Sequence, residues 1–297
     1  MMLVAFLLIA QLNAFMPDAP IYYLELTMRG CRVQSFVNGL PLSDNDAKAG
    51  AAFGSPFNAN LVGKDNQVRI VVLPTPYDSG EVSTLEDVVV LGAVKKYGPD
   101  EIAGPESGDV IARFDFAEVI EKRKKEQEER LGSVGAISPE EREALLMVTF
   151  PLEHTISFDN EGPAFPNRFL EADIIDDEER LLRYAKQLLA LMKNREAEGL
   201  YREFKPKMDD YNVAYPTEAT DDAVAFPQFL QEQFFPDGPI TKIEKEDIGL
   251  RRWCEGRIWE LYVKPDQALF STSGLNAQDF EIQVFVGLDH EELKVIR

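Results

Sequence analysis

Few residues of this chain are of the types that carry nucleophilic or metal-based catalysis. It contains two histidines, His154 and His290, and two cysteines, Cys31 and Cys254. Two histidines cannot form a multi-histidine metal site, and the cysteines lack the C-x-x-C spacing of a zinc site. No G-x-S-x-G turn, glycine-rich phosphate loop or H-E-x-x-H helix is present. The sequence therefore predicts no catalytic residue, no metal and no cofactor.

The histidines and cysteines leave some alternatives open. A triad that uses either histidine stays possible, although Asp289-His290-Glu291 is typical of a hairpin turn. A reactive cysteine needs a basic neighbour, which two histidines hardly supply. The cysteines lie in different halves of the chain. A disulfide would therefore require the two halves to pack so that the Cβ atoms of Cys31 and Cys254 reach the distance and orientation of a disulfide. The sequence favours two buried thiols.

Two clusters of oxygen-bearing side chains have the chemistry that Ca²⁺ accepts. They are Asp44-Asn45-Asp46 and Asp159-Asn160-Glu161. Neither has the spacing of an EF-hand, and both compositions are typical of turns. We interpret both clusters as turns.

The charge balance excludes some partners. The net charge is -21, from 52 acidic and 31 basic side chains. A field of this sign repels phosphate backbones and anionic lipid headgroups, so no nucleic-acid partner is expected. Hydrophobic residues make up 45% of the chain, which is enough for a packed core in each half.

Residues 1–16, MMLVAFLLIAQLNAFM, are apolar and uncharged. Their length predicts a signal peptide with a cleavage site near Leu12-Asn13-Ala14, and hence a periplasmic or secreted protein with no membrane span in the mature chain. No basic residue precedes Arg29, so the usual basic start of a signal peptide is missing. A buried N-terminal strand or helix in a cytoplasmic protein is the alternative. An intact mass that corresponds to a mature chain starting near Phe15 would establish export.

The first domain, residues 17–172, is predicted to be rich in β-strands. Aromatic and β-branched runs alternate with turn residues up to Pro74, and two further strands are expected over residues 87–94 and 109–116. Asn38-Gly39 predicts a tight hairpin turn, because both residues tolerate positive φ. A charged helical insertion is predicted over residues 117–145.

Short motifs in this domain resemble those of the galactose-binding-domain-like jelly rolls. They are the strand end Val37-Asn38-Gly39, the loop Pro56-Phe57-Asn58, and the turn Gly63-Lys64-Asp65-Asn66 leading into a long apolar strand. The resemblance covers roughly fifty residues. It implies an all-β sandwich, and it transfers no sugar-binding residue to this chain.

The second domain, residues 173–297, is predicted to place helices before strands. Asp176-Asp177-Glu178-Glu179 is a helix start, and Leu181, Ala185, Leu188 and Met192 form an apolar stripe. After the helices, the pattern changes to the period of strands. An α+β domain with helices packed on an antiparallel sheet is expected. This order of elements is similar to that of the cone-shaped fold of the nuclear-transport-factor-2-like superfamily. A cystatin-like fold is the alternative.

The resemblance to the cone fold implies an open mouth that could hold a ligand. The aromatic residues expected to line it are Tyr211, Tyr215, Trp253, Trp259 and Phe285. Aromatic residues at alternating sheet positions are also typical of a core. The sequence therefore predicts an envelope or secreted non-enzymatic binding or interaction protein, with a carbohydrate or another envelope protein as partner. The alternative is an enzyme or enzyme accessory with an acid–base pocket in the C-terminal domain. The oligomeric state stays open.

Overall fold

A computed structural model describes residues 20–76, 83–98, 101–104, 106–132, 138, 149–216, 222–235, 247–271 and 281–297. The chain forms two compact units, an N-terminal unit, Asp18–Gly162, and a C-terminal unit, Pro163–Arg297. The division falls between Gly162 and Pro163, whereas the sequence placed the domain boundary after residue 172. The predicted signal peptide, residues 1–16, lies outside the described residues.

The N-terminal unit consists of eight described strands and one long helix. The strands are β1 (Ile21–Arg29), β2 (Arg32–Val37), β3 (Leu40–Asp46), β4 (Ala51–Pro56), β5 (Asn66–Leu73), β6 (Val89–Tyr97), β7 (Asp109–Asp115) and β8 (Leu152–Phe158), and the helix is α1 (Phe116–Gly132). The strands form two antiparallel sheets, in the orders β4-β1-β6-β7 and β3-β2-β5-β8.

One core lies under both sheets of this unit. Buried residues alternate with more exposed ones along strands such as β1 and β8, as expected for strands with one apolar face. From the first sheet come Tyr22, Leu24, Leu26, Met28, Val90 and Val94, and from the second come Val33, Val37, Val68, Ile70, Val72, Leu152 and Ile156. Burial of these side chains is the main stabilising contribution to the unit.

The chain passes from the first sheet to the second at Gly30. Its φ is +70°, and a Cβ atom there would lie 2.3 Å from the carbonyl oxygen of Asp87. Only glycine meets both conditions without a shift of the backbone. The following hairpin turn at Asn38 and Gly39, with φ of 49° and 85°, confirms the turn predicted from the sequence.

Residues 44–46, which the sequence assigned to a turn, belong instead to strand β3. Asp44 is exposed on edge strand β3, where Arg32 and Gln34 of the neighbouring strand bind its carboxylate. An edge strand with solvated side chains has the composition of a loop, which explains the wrong prediction.

Helix α1 confirms the helical start of the predicted insertion at residues 117–145. Phe116 and Ile120 are buried in the core, and the other face carries ion pairs such as Lys124–Glu121. The helix ends at Gly132, as glycine favours. Of the remaining predicted insertion, only residue 138 is described.

The C-terminal unit begins with four described helices. They are α2 (Pro166–Phe169), α3 (Glu178–Lys193), α4 (Ala197–Ala214) and α5 (Asp222–Phe229), the last continuing as a π-helical turn (Leu230–Phe234). Asp177 caps α3 by accepting a hydrogen bond from the backbone amide of Arg180, 2.8 Å. The predicted stripe on α3 is confirmed, since all four of its residues are buried. Asn194 ends α3, and Glu196 precedes α4.

Seven short strands follow. They are β9 (Ile248–Trp253), β10 (Ile258–Val263), β11 (Gln267–Ala268), β12 (Phe270–Ser271), β13 (Glu281–Ile282), β14 (Val284–Asp289) and β15 (Glu292–Val295). Strand β10 pairs with β9, β11 and β14, and β14 pairs with β15. Strands β12 and β13 form a separate pair. Strands β9 and β10 are joined by a turn in which Cys254, Glu255 and Gly256 are all at positive φ.

The helices of this unit pack on one face of the sheet. Leu181, Leu188, Leu200 and Phe204 from the helices share a core with Trp259, Leu261, Val284, Val286, Leu293 and Val295 from the strands. The described chain is therefore a mixture of four antiparallel sheets and five helices. None of the described helices has the length and apolar character needed to cross a bilayer.

Candidate functional site

A group of charged residues meets at the C-terminal half of helix α4. Asp210 and Tyr211 follow Lys207 by three and four residues, and Ala214 follows Tyr211 by three, so these residues share a face of the helix. Asp210 and Ala214 on this face are buried. We call Lys207, Asp210 and Tyr211, together with Arg168, Asp289 and Arg297, the Lys207 site.

Asp210 holds two arginines at this site. Arg297 Nη1 donates to Asp210 Oδ2 at 2.6 Å, and Arg168 Nε donates to the same oxygen at 3.1 Å. The Arg297 side chain is only 4% exposed, and its guanidinium carbon lies 5.2 and 5.0 Å from the ring centres of Phe165 and Phe169. Burial lowers the pKa of Arg297, and the Asp210 carboxylate opposes this shift. The carboxylate therefore compensates a buried cation.

Local structure explains how these groups come together. Arg297 follows β15, and its carbonyl accepts a hydrogen bond from the Phe285 amide at 3.0 Å, which fixes its backbone beside β14. Arg168 lies on the single turn of α2, where Pro166 begins the helix. Its Nη1 donates to Asp289 Oδ1 at 2.7 Å. Burial alone would lower the pKa of Arg168, but the hydrogen bond with Asp289 and the charge of Asp210 together raise it.

Lys207 differs from the other cations of the site. The rings of Phe204 and Tyr211 lie 5.9 Å from its Nζ, but no carboxylate of the described residues forms a salt bridge with it. The side chain is half-buried, and the desolvation of its amine lowers the pKa of Lys207 to about 8, with the positive charge of Arg297 adding to the effect.

The carboxylates of α4 that could neutralise Lys207 are already engaged. Glu203, one turn earlier, accepts from Tyr184 at 2.8 Å and pairs with Lys294 at 3.1 Å. Asp209 binds Lys205, and Asp210 binds the two arginines. The side chains of the Lys207 site comprise three cations and two carboxylates, so the side chains alone leave one positive charge.

This environment predicts a pH-dependent effect of Lys207 on stability. Below pH 8 the lysine is charged in both the folded and unfolded chains, and the folded chain bears the cost of the desolvated charge. Between about pH 8 and 10.5 the folded chain loses the proton first, so wild-type stability rises with pH. We expect Lys207→Met to stabilise the protein by about 1–3 kcal/mol at pH 7.

The stabilising effect of Lys207→Met should shrink as the pH rises towards 10.5. Urea denaturation of wild type and variant at pH 7, 8.5 and 10 measures this difference. A variant that is less stable than wild type at pH 7, or a difference that does not depend on pH, would contradict the desolvated amine.

The five aromatic residues that were predicted to line a ligand pocket lie in different surroundings. Tyr211 and Tyr215 lie together, with ring centres 5.7 Å apart, and Tyr211 belongs to the Lys207 site. Desolvation raises the pKa of Tyr211, although the residue as a whole is 41% exposed. Phe285 is buried on the sheet face opposite its core neighbours, and its backbone contacts Arg297.

The two tryptophans are not at the Lys207 site. Trp259 is buried in the core under the helices, where its Nε1 donates to the carbonyls of Ile175 and Gly256 at 3.0 and 3.2 Å. Trp253 pairs with Ile258 and lies on the other face of the sheet, where it donates to Glu260 at 3.1 Å. These contacts give both indoles a structural role.

The other chemically active residue types are held in structural contacts. His154 lies between the rings of Phe114 and Phe116, with ring centres 5.8 and 6.3 Å away, and burial lowers its pKa. His290 has positive φ in the hairpin turn between β14 and β15, as the sequence predicted. Cys31 and Cys254 are both thiols, and burial raises their pKa values to about 11 and 12.

No grouping of three or more His, Cys, Asp or Glu side chains suited to a metal ion occurs in the part of the chain that the structure describes. The two clusters with calcium-like composition are engaged otherwise. Asp44 binds Arg32, and Asn160 takes part in a network of amides.

The sequence did not single out Lys207, Asp210, Arg168, Asp289 or Arg297. The only local signal was the spacing of Lys207, Asp210 and Tyr211 on one helix face. The chain matches no protein-family model, and neither the curated proteins nor the solved structures contain a significant match to it. The function must therefore be inferred from the geometry of the site.

Proposed function

We propose that the protein is a non-enzymatic binding protein whose C-terminal unit holds a small anionic ligand at the Lys207 site. One observation carries this proposal, the half-buried ammonium of Lys207 without a carboxylate partner among the described residues. A desolvated charge is costly unless an opposite charge compensates it. An anionic ligand supplies that charge.

The other well-buried lysines of the protein support this interpretation by contrast. Lys95 pairs with Glu25 at 2.9 Å, and Lys294 pairs with Glu203 at 3.1 Å. Lys207 therefore departs from the pattern that the fold uses elsewhere. The rings of Tyr211 and Tyr215 beside the amine favour a ligand with an apolar or planar part next to its charged group.

The proposal includes a fold for each unit. For the N-terminal unit we favour a β-sandwich of the jelly-roll type, supported by two four-stranded sheets that share one core. For the C-terminal unit we favour the cone-like α+β fold, supported by helices that cover one sheet face. An envelope or secreted location stays a prediction from residues 1–16. A carbohydrate or an envelope protein as partner also stays a prediction.

Binding of simple anions tests the proposed function. Titration calorimetry at pH 7 with acetate, benzoate and inorganic phosphate is expected to detect binding to wild type, with benzoate tighter than acetate. Lys207→Met should weaken binding at least about tenfold, because about 1.4 kcal/mol or more of charge interaction is lost.

Lys205→Met is the matched control, because Lys205 lies on the same helix but is exposed and paired with Asp209. It should leave the affinity unchanged. Wild type that binds none of the three anions at millimolar concentration, or equal affinity of wild type and Lys207→Met, would overturn the proposed function.

A second candidate function is an enzyme or enzyme accessory with an acid–base group in the C-terminal unit. The observation that favours it is the pKa of Lys207 of about 8, close to the range in which a lysine exchanges protons at physiological pH.

A further inference from the structure

The amine of Lys207 is in surroundings that favour its neutral form. A lysine is a nucleophile only when it has lost its proton, and the ordinary lysine amine is almost fully protonated at neutral pH. At Lys207, desolvation and the neighbouring charge of Arg297 both disfavour the ammonium. The charged groups that face the site from other elements are Arg168 of α2, Asp289 of β14 and Arg297.

The carboxylates in these surroundings do not restore the charge of Lys207. Asp210 is bound by Arg297 and Arg168, and Asp289 is bound by Arg168. The amine of Lys207 therefore lies 5.9 Å from the ring centre of Tyr211, on the helix face where Asp210 holds two guanidiniums. This arrangement suits a ligand that offers a carboxylate for electrostatic attraction and an electrophilic carbon for the amine.

We propose that Lys207 is a nucleophile that forms an imine with the carbonyl group of a small oxo-acid. This inference rests on the anion-binding function proposed above and names the class of ligand that the site takes. The carboxylate of the oxo-acid faces the excess positive charge of the Lys207 site. Its carbonyl carbon then lies within reach of Nζ.

The reaction is a condensation without any change of oxidation state. The Lys207 ammonium first releases a proton to solvent. The lone pair of Nζ forms a bond with the carbonyl carbon, and the carbonyl oxygen takes up a proton to give a carbinolamine. Loss of the second nitrogen proton and of the hydroxyl group as water breaks the C–O bond and leaves the imine. One amine and one carbonyl thus give one imine and one water.

Lys205 provides an internal standard for this reactivity. It lies two residues away on α4, and its amine binds Asp209 at 2.8 and 2.6 Å. The hydrogen bond with Asp209 raises the pKa of Lys205, so its neutral fraction is smaller than that of a free lysine. At pH 7 an amine of pKa near 8 has about 300-fold more neutral form than an ordinary lysine. A lower pKa also weakens nucleophilicity, which offsets part of this advantage.

Reductive trapping tests the proposal. The full chain is incubated at pH 7 with sodium cyanoborohydride and one of two methyl ketones, pyruvate or acetone, and the modified lysines are located by peptide mass mapping. We expect pyruvate to modify Lys207 at least about tenfold faster than Lys205. The ratio of pyruvate adduct to acetone adduct should be higher at Lys207 than at Lys205, because acetone has the ketone but no carboxylate.

Two variants separate the imine from the binding of an anion. Lys207→Arg keeps a positive charge but has no neutral amine at this pH, so it should retain binding of benzoate and lose the pyruvate adduct. Lys207→Met should lose both. The melting temperature of each variant confirms that it is folded.

The outcomes distinguish the two proposals. Binding of benzoate without preferential trapping at Lys207 overturns the imine and leaves the binding function intact. A ratio of pyruvate adduct to acetone adduct that is the same at Lys207 as at Lys205 overturns the oxo-acid as the ligand, because the carboxylate then contributes nothing at Lys207. Trapping spread evenly over the exposed lysines overturns the imine.

Discussion

Replacing Asp210 by asparagine is expected to lower the free energy of unfolding of the C-terminal unit by about 3–5 kcal/mol. Asp210 Oδ2 accepts hydrogen bonds from both Arg297 and Arg168. Asparagine keeps the shape but removes the charge, so two guanidiniums and Lys207 are left with less compensation. The Arg297 side chain is almost completely buried, and water cannot replace the lost carboxylate.

The effect can be measured on this unit alone, because both tryptophans of the chain, Trp253 and Trp259, belong to it. Urea denaturation followed by tryptophan fluorescence reports the midpoint. Asp209→Asn is the control, since its exposed pair with Lys205 contributes less than about 1 kcal/mol. Equal effects of the two variants would show that Asp210 does not compensate a buried charge.

A double variant also tests whether Asp210 compensates the buried charge of Arg297. Arg297→Met added to Asp210→Asn removes the most deeply buried cation along with its partner. The double variant should be less destabilised than the sum of the two single variants, because Asp210→Asn alone leaves the buried Arg297 cation without its carboxylate, whereas the double variant lacks that cation. Additive effects would contradict the pairing.

Replacing Asn66 by alanine is expected to lower the stability of the N-terminal unit by about 3–5 kcal/mol. The Asn66 side chain is fully buried and is the centre of an amide network. Its Oδ1 accepts from the Val62 amide at 2.8 Å and from Asn38 Nδ2 at 3.0 Å. Its Nδ2 donates to Asn160 Oδ1 at 2.9 Å and to the Phe158 carbonyl at 3.3 Å.

Alanine removes the hydrogen bond of the buried Val62 amide and one of the hydrogen bonds of both Asn38 and Asn160. Leaving a buried amide without an acceptor costs more than the net value of the bond itself. Gln67→Ala is the matched control, because Gln67 is the next residue of β5 and its side chain is exposed. Hydrogen exchange of the β5 and β8 amides measures the local effect. Exchange that accelerates equally in both variants would show that the network does not stabilise the sheet.

The Asn66 network shows what a short motif does and does not indicate. Asn38 and Asn66 belong to the motifs that resemble the galactose-binding-domain-like jelly rolls, and both residues do contribute to turns and strand starts. Asn160, the partner of Asn66, lies 94 residues further along the chain. From the sequence alone, its segment could be interpreted only as a polar turn. The local pattern predicted the turns, but it contained no information about the side chain that joins them.

Secondary structure was predicted best where the pattern was long and one face was buried. The stripe on α3 and the alternating strand β1 are such cases. The prediction was wrong at Asp44-Asn45-Asp46, which was interpreted as a turn but belongs to the edge strand β3. Solvent exposure there removes the contrast between apolar and polar positions, and with it the periodic signal.

The site was the least predictable part. Aromatic residues were chosen because a cone-like fold suggested a lined mouth, and two of them, Trp253 and Trp259, are on opposite faces of the sheet. The charged residues of the Lys207 site come from α2, α4, the end of β14 and the residue after β15. A single sequence gives no means of telling a lysine with a carboxylate partner from one without.

The sequence by itself determined the order of strands and helices, the hairpin turns at Asn38-Gly39 and His290, and the shortage of histidine and cysteine chemistry. These properties depend on local conformational preference, periodic burial and composition, all of which are determined by residues that are close together in the sequence. Tertiary structure alone decided that Asp210 neutralises two arginines while Lys207 stays uncompensated. Desolvation and charge pairing depend on distances between segments that are remote in sequence, and only the folded chain fixes those distances.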